Sequence, residues 1–92
     1  MSYRDVLAGM QDALLPDADK ATILARQGGL CFYCDQPLST KISWDHFVPR
    51  HARGPHHLNN RVAAHPGCDC KKGGRMPTDV ETEKFLDQIA ST

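Results

Sequence analysis

Ninety-two residues, 40% of them apolar and 7% aromatic, suffice for one small domain with a modest core. That excludes a second domain and a thick aliphatic sandwich or barrel, and it calls for extra cross-linking. Eleven Lys/Arg balance eleven Asp/Glu, so net charge singles out no partner.

In chain order, Ser2 followed by Asp5 gives a weak capping-box start. Val6, Leu7, Met10 and Leu14 then form one apolar stripe, which predicts an amphipathic helix over 2–15, ended by Pro16. Asp17 is placed to cap a second helix, Ala18 to Gln27, with Ala21, Ile23 and Leu24 inward and Gly28-Gly29 as its stop. Between Leu30 and Met76, breakers such as Asp35-Gln36-Pro37, Arg53-Gly54-Pro55, His65-Pro66-Gly67 and Gly73-Gly74 leave room for short elements only. Ile42 to Val48 and the shorter Arg61 to Ala64 read as strands. Thr78-Asp79-Val80-Glu81 has full capping-box spacing, and Val80, Phe85, Leu86 and Ile89 predict the apolar face of a last helix reaching about Ala90. The expected organisation is one domain over 1–92, with a helical segment at 1–29, a core at 30–77 and a helix at 78–92. No apolar run approaches the roughly 18 residues a membrane span needs, and the first five residues lack a secretory apolar stretch. The expectation is a cytoplasmic, intracellular protein without a membrane partner.

Charge is distributed unevenly. Residues 46–76 hold Arg50, Arg53, Arg61, Lys71, Lys72 and Arg75 against Asp69 alone, whereas both ends are mildly acidic. A basic middle of this kind fits a polyanion surface confined to one face.

All four cysteines lie in the same block, in a chain with no secretory signal, so metal binding is favoured over disulfides. Cys31-Phe32-Tyr33-Cys34 is a two-residue-gap knuckle, whose thiolates can reach one tetrahedral Zn²⁺. His65-Pro66-Gly67-Cys68 repeats that gap, giving the set Cys31, Cys34, His65 and Cys68. Cys31, Cys34, Cys68 and Cys70 is the alternative, and it requires an unusual conformation across the one-residue gap Cys68-Asp69-Cys70. A zinc so held would be structural, with binding coupled to folding.

Trp44-Asp45-His46-Phe47-Val48-Pro49 sets a carboxylate beside an imidazole at the end of a predicted strand. In a regular strand the two would face opposite ways, but a bend at the strand end would let both line one cleft. An Asp-His pair is common and says little by itself. Its neighbours say more. Cys31-x-x-Cys34, Asp45-His46-x-x-Pro49, Arg53-Gly54, Asn60, His65-x-x-Cys68, Asp69, Lys72-Gly73 and Arg75-x-Pro77 follow in the order seen in zinc-knuckle HNH endonucleases. The chain resembles that family over residues 31–77.

The resemblance implies an α+β fold with a ββα-metal (HNH, or His-Me finger) core: two antiparallel strands, a loop and a helix gripping a catalytic Mg²⁺ or Mn²⁺, with zinc outside. It implies a metal-dependent DNA endonuclease, a phosphodiester hydrolase that nicks or cuts both strands and leaves 5′ phosphates. In that scheme His46 is the general base, and a neutral imidazole near pH 7 suits the task. Asp45 and Asp69 hold the catalytic ion through hard oxygen donors. Asn60 orients the His46 loop or ring by hydrogen bonds, with a role near the metal as the alternative. Arg50, Arg53, Arg61, Lys71, Lys72 and Arg75 hold phosphates, so DNA binding should weaken steeply with salt.

The chain departs from the family pattern at three places. His65 stands for a usual knuckle cysteine, Asp69 for His or Asn, and Arg53-Gly54-Pro55-His56-His57 for a common Gly-Gly turn. His51, His56 and His57 read as exposed loop histidines, and Tyr33 and Trp44 as packing. A homodimer or a specificity-supplying protein partner is compatible with the same residues. The competing reading is a catalytically inactive, zinc-stabilised module that binds nucleic acid or protein.

Overall fold

The computed structural model describes residues 15–91, so the helix predicted over 2–15 lies outside the described residues apart from its last position. The first element, α1, spans Asp17–Gln27. Pro16, not Asp17, stands at its N-cap, and Asp17 and Asp19 sit instead in the first turn, where carboxylates suit the positive end of the helix dipole. Gly28 ends α1 at φ 61°, a left-handed conformation that costs glycine little, and the amides of Gly28 and Gly29 close onto Ala25 and Leu24.

Ser43–His46 forms strand β1, and after a loop with short 3-10 turns at Arg50–Ala52 and Leu58–Asn60, Arg61–Ala64 forms β2. The strands pair antiparallel, with Ser43 opposite Ala64, Trp44 opposite Ala63, Asp45 opposite Val62 and His46 opposite Arg61. The first strand is shorter than the predicted Ile42 to Val48, because Phe47 and Val48 turn away to bond Asn60. Two further helices follow, α2 at Pro66–Lys72 and α3 at Asp79–Ala90. Among the described residues this is a small α+β fold with a two-stranded antiparallel sheet and three helices. None of these helices is long and apolar enough to cross a membrane.

The core consists of Phe32, Phe47, Val62 and Phe85, with Tyr33, Val48 and Ile89 packed around them. Phe32 meets Phe47 edge-on at 5.5 Å between ring centroids, and Phe47 lies 4.3 Å from Phe85. All four residues of β2 are buried, and α1 covers that strand. Gln27 is buried too, and its side-chain amide acts as a third strand for one residue: Nε2 donates to the Ala63 carbonyl at 2.7 Å while Oε1 accepts from the Ala63 amide at 2.8 Å. A free strand edge is thereby satisfied by a side chain.

Two inward assignments are corrected. Ala21 is exposed, and Ile23 and Gln27 are the residues of α1 that are buried. On α3, Phe85 and Ile89 enter the core, whereas Val80 is 76% and Leu86 60% exposed. Among the described residues the Phe85–Ile89 side of that helix packs on the core, and a capping box closes its first turn. Thr78 accepts from the Glu81 amide, and Glu81 accepts from the Thr78 amide. Lys84 then ties α3 to the knuckle through the Phe32 carbonyl and Asp35.

Candidate functional site

Cys31, Cys34, His65 and Cys68 form a cluster that can bind zinc, with their ligand atoms within 4.8 Å of one another. Nδ1 of His65 lies 3.3 Å from the Cys34 sulfur and 4.0 Å from that of Cys68. Tetrahedral zinc with ordinary Zn–S and Zn–N bonds separates such atoms by about 3.6 Å. The other ring nitrogen, Nε2, donates to the Pro37 carbonyl at 3.0 Å, which fixes the tautomer and leaves the Nδ1 lone pair facing the sulfurs. Burial pushes the Cys31 thiol up, but the amides of His65, Cys34 and Tyr33 outweigh it and bring Cys31 down to about 7. Burial and the neighbouring thiols of Cys31 and Cys34 push Cys68 up to about 11. Negative charge thus gathers on Cys31, while the Cys68 thiol gives up its proton readily only when a cation arrives. Cys70 is exposed and stays outside the cluster, so the two-residue gap prevails over the one-residue gap.

The same short helix that carries Cys68 brings Asp69 and Lys72 to β1. Ser43 and Asp45 are two residues apart and face α2 together. The Ser43 hydroxyl donates to Asp69 Oδ2, and Lys72 Nζ lies 3.1 Å from Asp45 Oδ2. The Tyr33 hydroxyl donates to the same Asp45 oxygen at 2.5 Å. Burial raises the Asp69 pKa against the opposing Ser43 bond, and the Asp45 carboxylate, within hydrogen-bond reach, raises it further. Tyr33 is held protonated well above its usual range by burial and by Asp45. Two carboxylates and a hydroxyl make an all-oxygen donor set of the kind hard divalent ions prefer.

His46, one residue on, faces the other way. Its Nε2 lies 3.1 Å from Arg61 Nη1 and 2.9 Å from His56 Nδ1. A guanidinium only donates, so Nε2 is the acceptor and carries the ring's lone pair. Burial, followed by the charges of Arg61, Arg50 and Lys72, lowers the His46 pKa to about 4 despite Asp69. His46 is therefore neutral at pH 7. What joins Asp45 to His46 is Lys72, whose ammonium also donates to the His46 carbonyl at 3.1 Å.

Asn60, buried, clasps the loop after His46. Its Oδ1 accepts from the Val48 amide at 2.8 Å, while Nδ2 donates to the carbonyls of Val48 at 3.1 Å and Pro55 at 3.0 Å. Gly54 completes the clasp, because a Cβ there would lie 1.7 Å from the Val48 carbonyl oxygen. Asn60 thus holds the loop, and its side chain bonds Val48 and Pro55, not the His46 ring.

The six basic residues separate into two groups. Arg50, Arg53 and Lys71 are exposed, and so is Arg75, although Glu81 grips it bidentately at 2.9 and 3.0 Å. Arg61 and Lys72 are buried against His46 and Asp45, so the structure removes them from an open phosphate-binding surface. Of the loop histidines, His51 meets the Gly74 carbonyl and His57 caps the Asn59 amide. Trp44, half-buried, lies under Lys20 at 5.6 Å. Sequence reasoning missed Tyr33 and His56 as polar partners of Asp45 and His46. The position of Tyr33 inside the knuckle offered the one local hint, since the knuckle must pack near β1. No family model matches the chain, and no curated protein is significantly similar to it.

Proposed function

We propose that this protein is a metal-dependent DNA endonuclease of the ββα-metal, HNH type. The observation that carries the reading is the convergence of Asp45 from β1 and Asp69 from α2, with His46 ending the same strand and Asn60 clasping the loop behind it. Asp45 and Asp69 would hold a divalent ion, Mg²⁺ or Mn²⁺. Bound there, such an ion stabilises negative charge on the scissile phosphate and the departing 3′ oxygen.

The chain's own groups supply the rest. Neutral His46 takes the proton of the attacking water as the new P–O bond forms and the P–O3′ bond breaks. Its Nε2 lone pair faces Arg61, so the guanidinium must leave the imidazole for the base to act. His56 stands at the same nitrogen, so both partners must give way before water reaches the lone pair. Exposed Arg50, Arg53 and Lys71 hold the flanking backbone and carry no sequence information by themselves. The Cys31, Cys34, His65 and Cys68 zinc stays structural, because four protein donors leave no open position.

A second reading, the inactive binding module, is favoured by one observation: Arg61 and His56 both stand at His46 Nε2. The test is nicking of supercoiled plasmid by wild type and His46→Ala with Mg²⁺ or Mn²⁺, zinc content being measured in both. The nuclease reading expects wild type to nick and His46→Ala to lose at least about 100-fold while keeping its zinc. Salt-sensitive DNA binding by wild type without cleavage under either ion would overturn it in favour of the module.

A further inference from the structure

Lys72 was expected on the DNA-facing surface, yet its side chain is only 2% exposed. Burying an ammonium is costly unless it is paired and hydrogen-bonded. Here both conditions are met, by Asp45 Oδ2 at 3.1 Å and by the His46 carbonyl at 3.1 Å. The carboxylate oxygen it holds also receives the Tyr33 hydroxyl, and Asp69 receives Ser43. A positive charge therefore already stands against the acid pair in the molecule's own covalent structure.

We propose that Lys72 is an internal counter-cation of the Asp45–Asp69 pair, a positioning residue that a divalent ion must displace and that thereby sets the affinity for that ion. This rests on the divalent-ion reading of the acid pair given above. A cation bound at Asp45 and an ammonium at the same oxygen repel one another, so one leaves or both bind weakly. The displaced ammonium has somewhere to go. Lys72 lines an open cleft of about 320 Å³ between the knuckle and the start of α3, shared with Lys71, Arg75 and the Arg75-bound Glu81, so the ammonium can swing out toward water. Leaving Asp45 also releases the His46 carbonyl, so ion binding frees the end of β1 that carries the general base. In the ion-free state Lys72 keeps the two carboxylates from repelling one another and pins α2 to β1.

The sign of the effect separates this role from a purely structural one. Removing a competitor tightens ion binding, whereas removing a mere brace loosens the site and weakens it. The experiment is calorimetric titration of the zinc-loaded full chain with Mn²⁺, comparing wild type, Lys72→Met and Asp45→Asn. Lys72→Met is expected to bind Mn²⁺ at least roughly tenfold more tightly, with its zinc retained. Lys72→Gln, which keeps a donor for the His46 carbonyl, carries the same expectation should Lys72→Met fail to fold. In wild type, saturation with Mg²⁺ is expected to abolish the slowly exchanging Lys72 ammonium resonance. Unchanged or weaker Mn²⁺ binding in the lysine variants, or an ammonium resonance that survives Mg²⁺, overturns the proposal. If Asp45→Asn abolishes Mn²⁺ binding while the lysine variants match wild type, Lys72 alone loses its role. If Asp45→Asn binds Mn²⁺ like wild type, the acid pair is not the ion site, and the functional reading of Asp45 falls with it.

Discussion

The Cys/His cluster and the Asp45–Asp69 pair both hang from α2, yet their side chains are arranged on different terms. In the cluster, four donors converge, and His65 is already locked in the tautomer that points its lone pair inward. At the acid pair and at His46 on the opposite face of the strand, the polar groups are answered by the protein itself: Asp45 by Lys72 and Tyr33, Asp69 by Ser43, His46 by Arg61 and His56. A preorganised donor set suits a permanent, structural ion. A self-satisfied constellation suits groups that must be displaced to act, with ligand binding doing the displacing.

The largest expected effect follows from the first region. Structural zinc in small domains contributes about 10–16 kcal/mol of apparent binding energy, as much as the whole stability of an ordinary domain. Cys31→Ser, or removal of zinc by a strong chelator, should abolish cooperative thermal unfolding followed by circular dichroism. Cys70→Ser should leave one zinc per chain and an unchanged melt. A Cys70 variant that lost zinc would move the ligand set to the one-residue gap.

Next comes the loop clasp that borders the second region. Gly54→Ala would drive a methyl into the Val48 carbonyl, and the contact is with backbone that has little room to give. A loss of about 3 kcal/mol in urea unfolding is expected. Asn60→Ala forfeits three hydrogen bonds from a buried side chain to the loop and should cost about 2 kcal/mol. If Asn60→Ala kept full stability but lost nicking, Asn60 would belong to the chemistry and not to the clasp.

The smallest effect lies at the α3 cap. The paired bonds from Arg75 hold the Glu81 carboxyl at about 2, below its ordinary value of 4.5. A depressed folded-state pKa stabilises the fold above the unfolded value and loses that contribution as pH falls through about 2. Arg75 is half exposed, so screening reduces the contribution to roughly 1 kcal/mol. The stability difference between wild type and Glu81→Gln should be constant near neutrality and shrink between about pH 4.5 and 2. A difference independent of pH would assign the stabilisation to the cap geometry alone.

What the sequence made legible was local. Strand β2 was read at its observed bounds from β-branched and small residues between breakers, and the Thr78–Glu81 capping box needed only four consecutive residues. The metal set followed from two equal gaps. What was not legible depends on elements far apart in the chain meeting in space. Nothing near Lys72 says that β1 will cover it, and nothing near Gln27 says that Ala63 will turn its amide and carbonyl to the side of β2 away from β1. Val80 and Leu86 satisfied a helical stripe, yet among the described residues the core receives Phe85 and Ile89 and leaves those two exposed. Arg61 looked like a phosphate ligand because its charge was visible and its register opposite His46 was not.

The division of labour between the two regions is tested most directly by measuring melting, zinc content and plasmid nicking on the same preparations of wild type, Cys31→Ser and Asp45→Asn. The account predicts that Asp45→Asn keeps one zinc and a cooperative melt but does not nick, whereas Cys31→Ser loses zinc, melt and nicking together. An Asp45→Asn protein that nicks like wild type would contradict it.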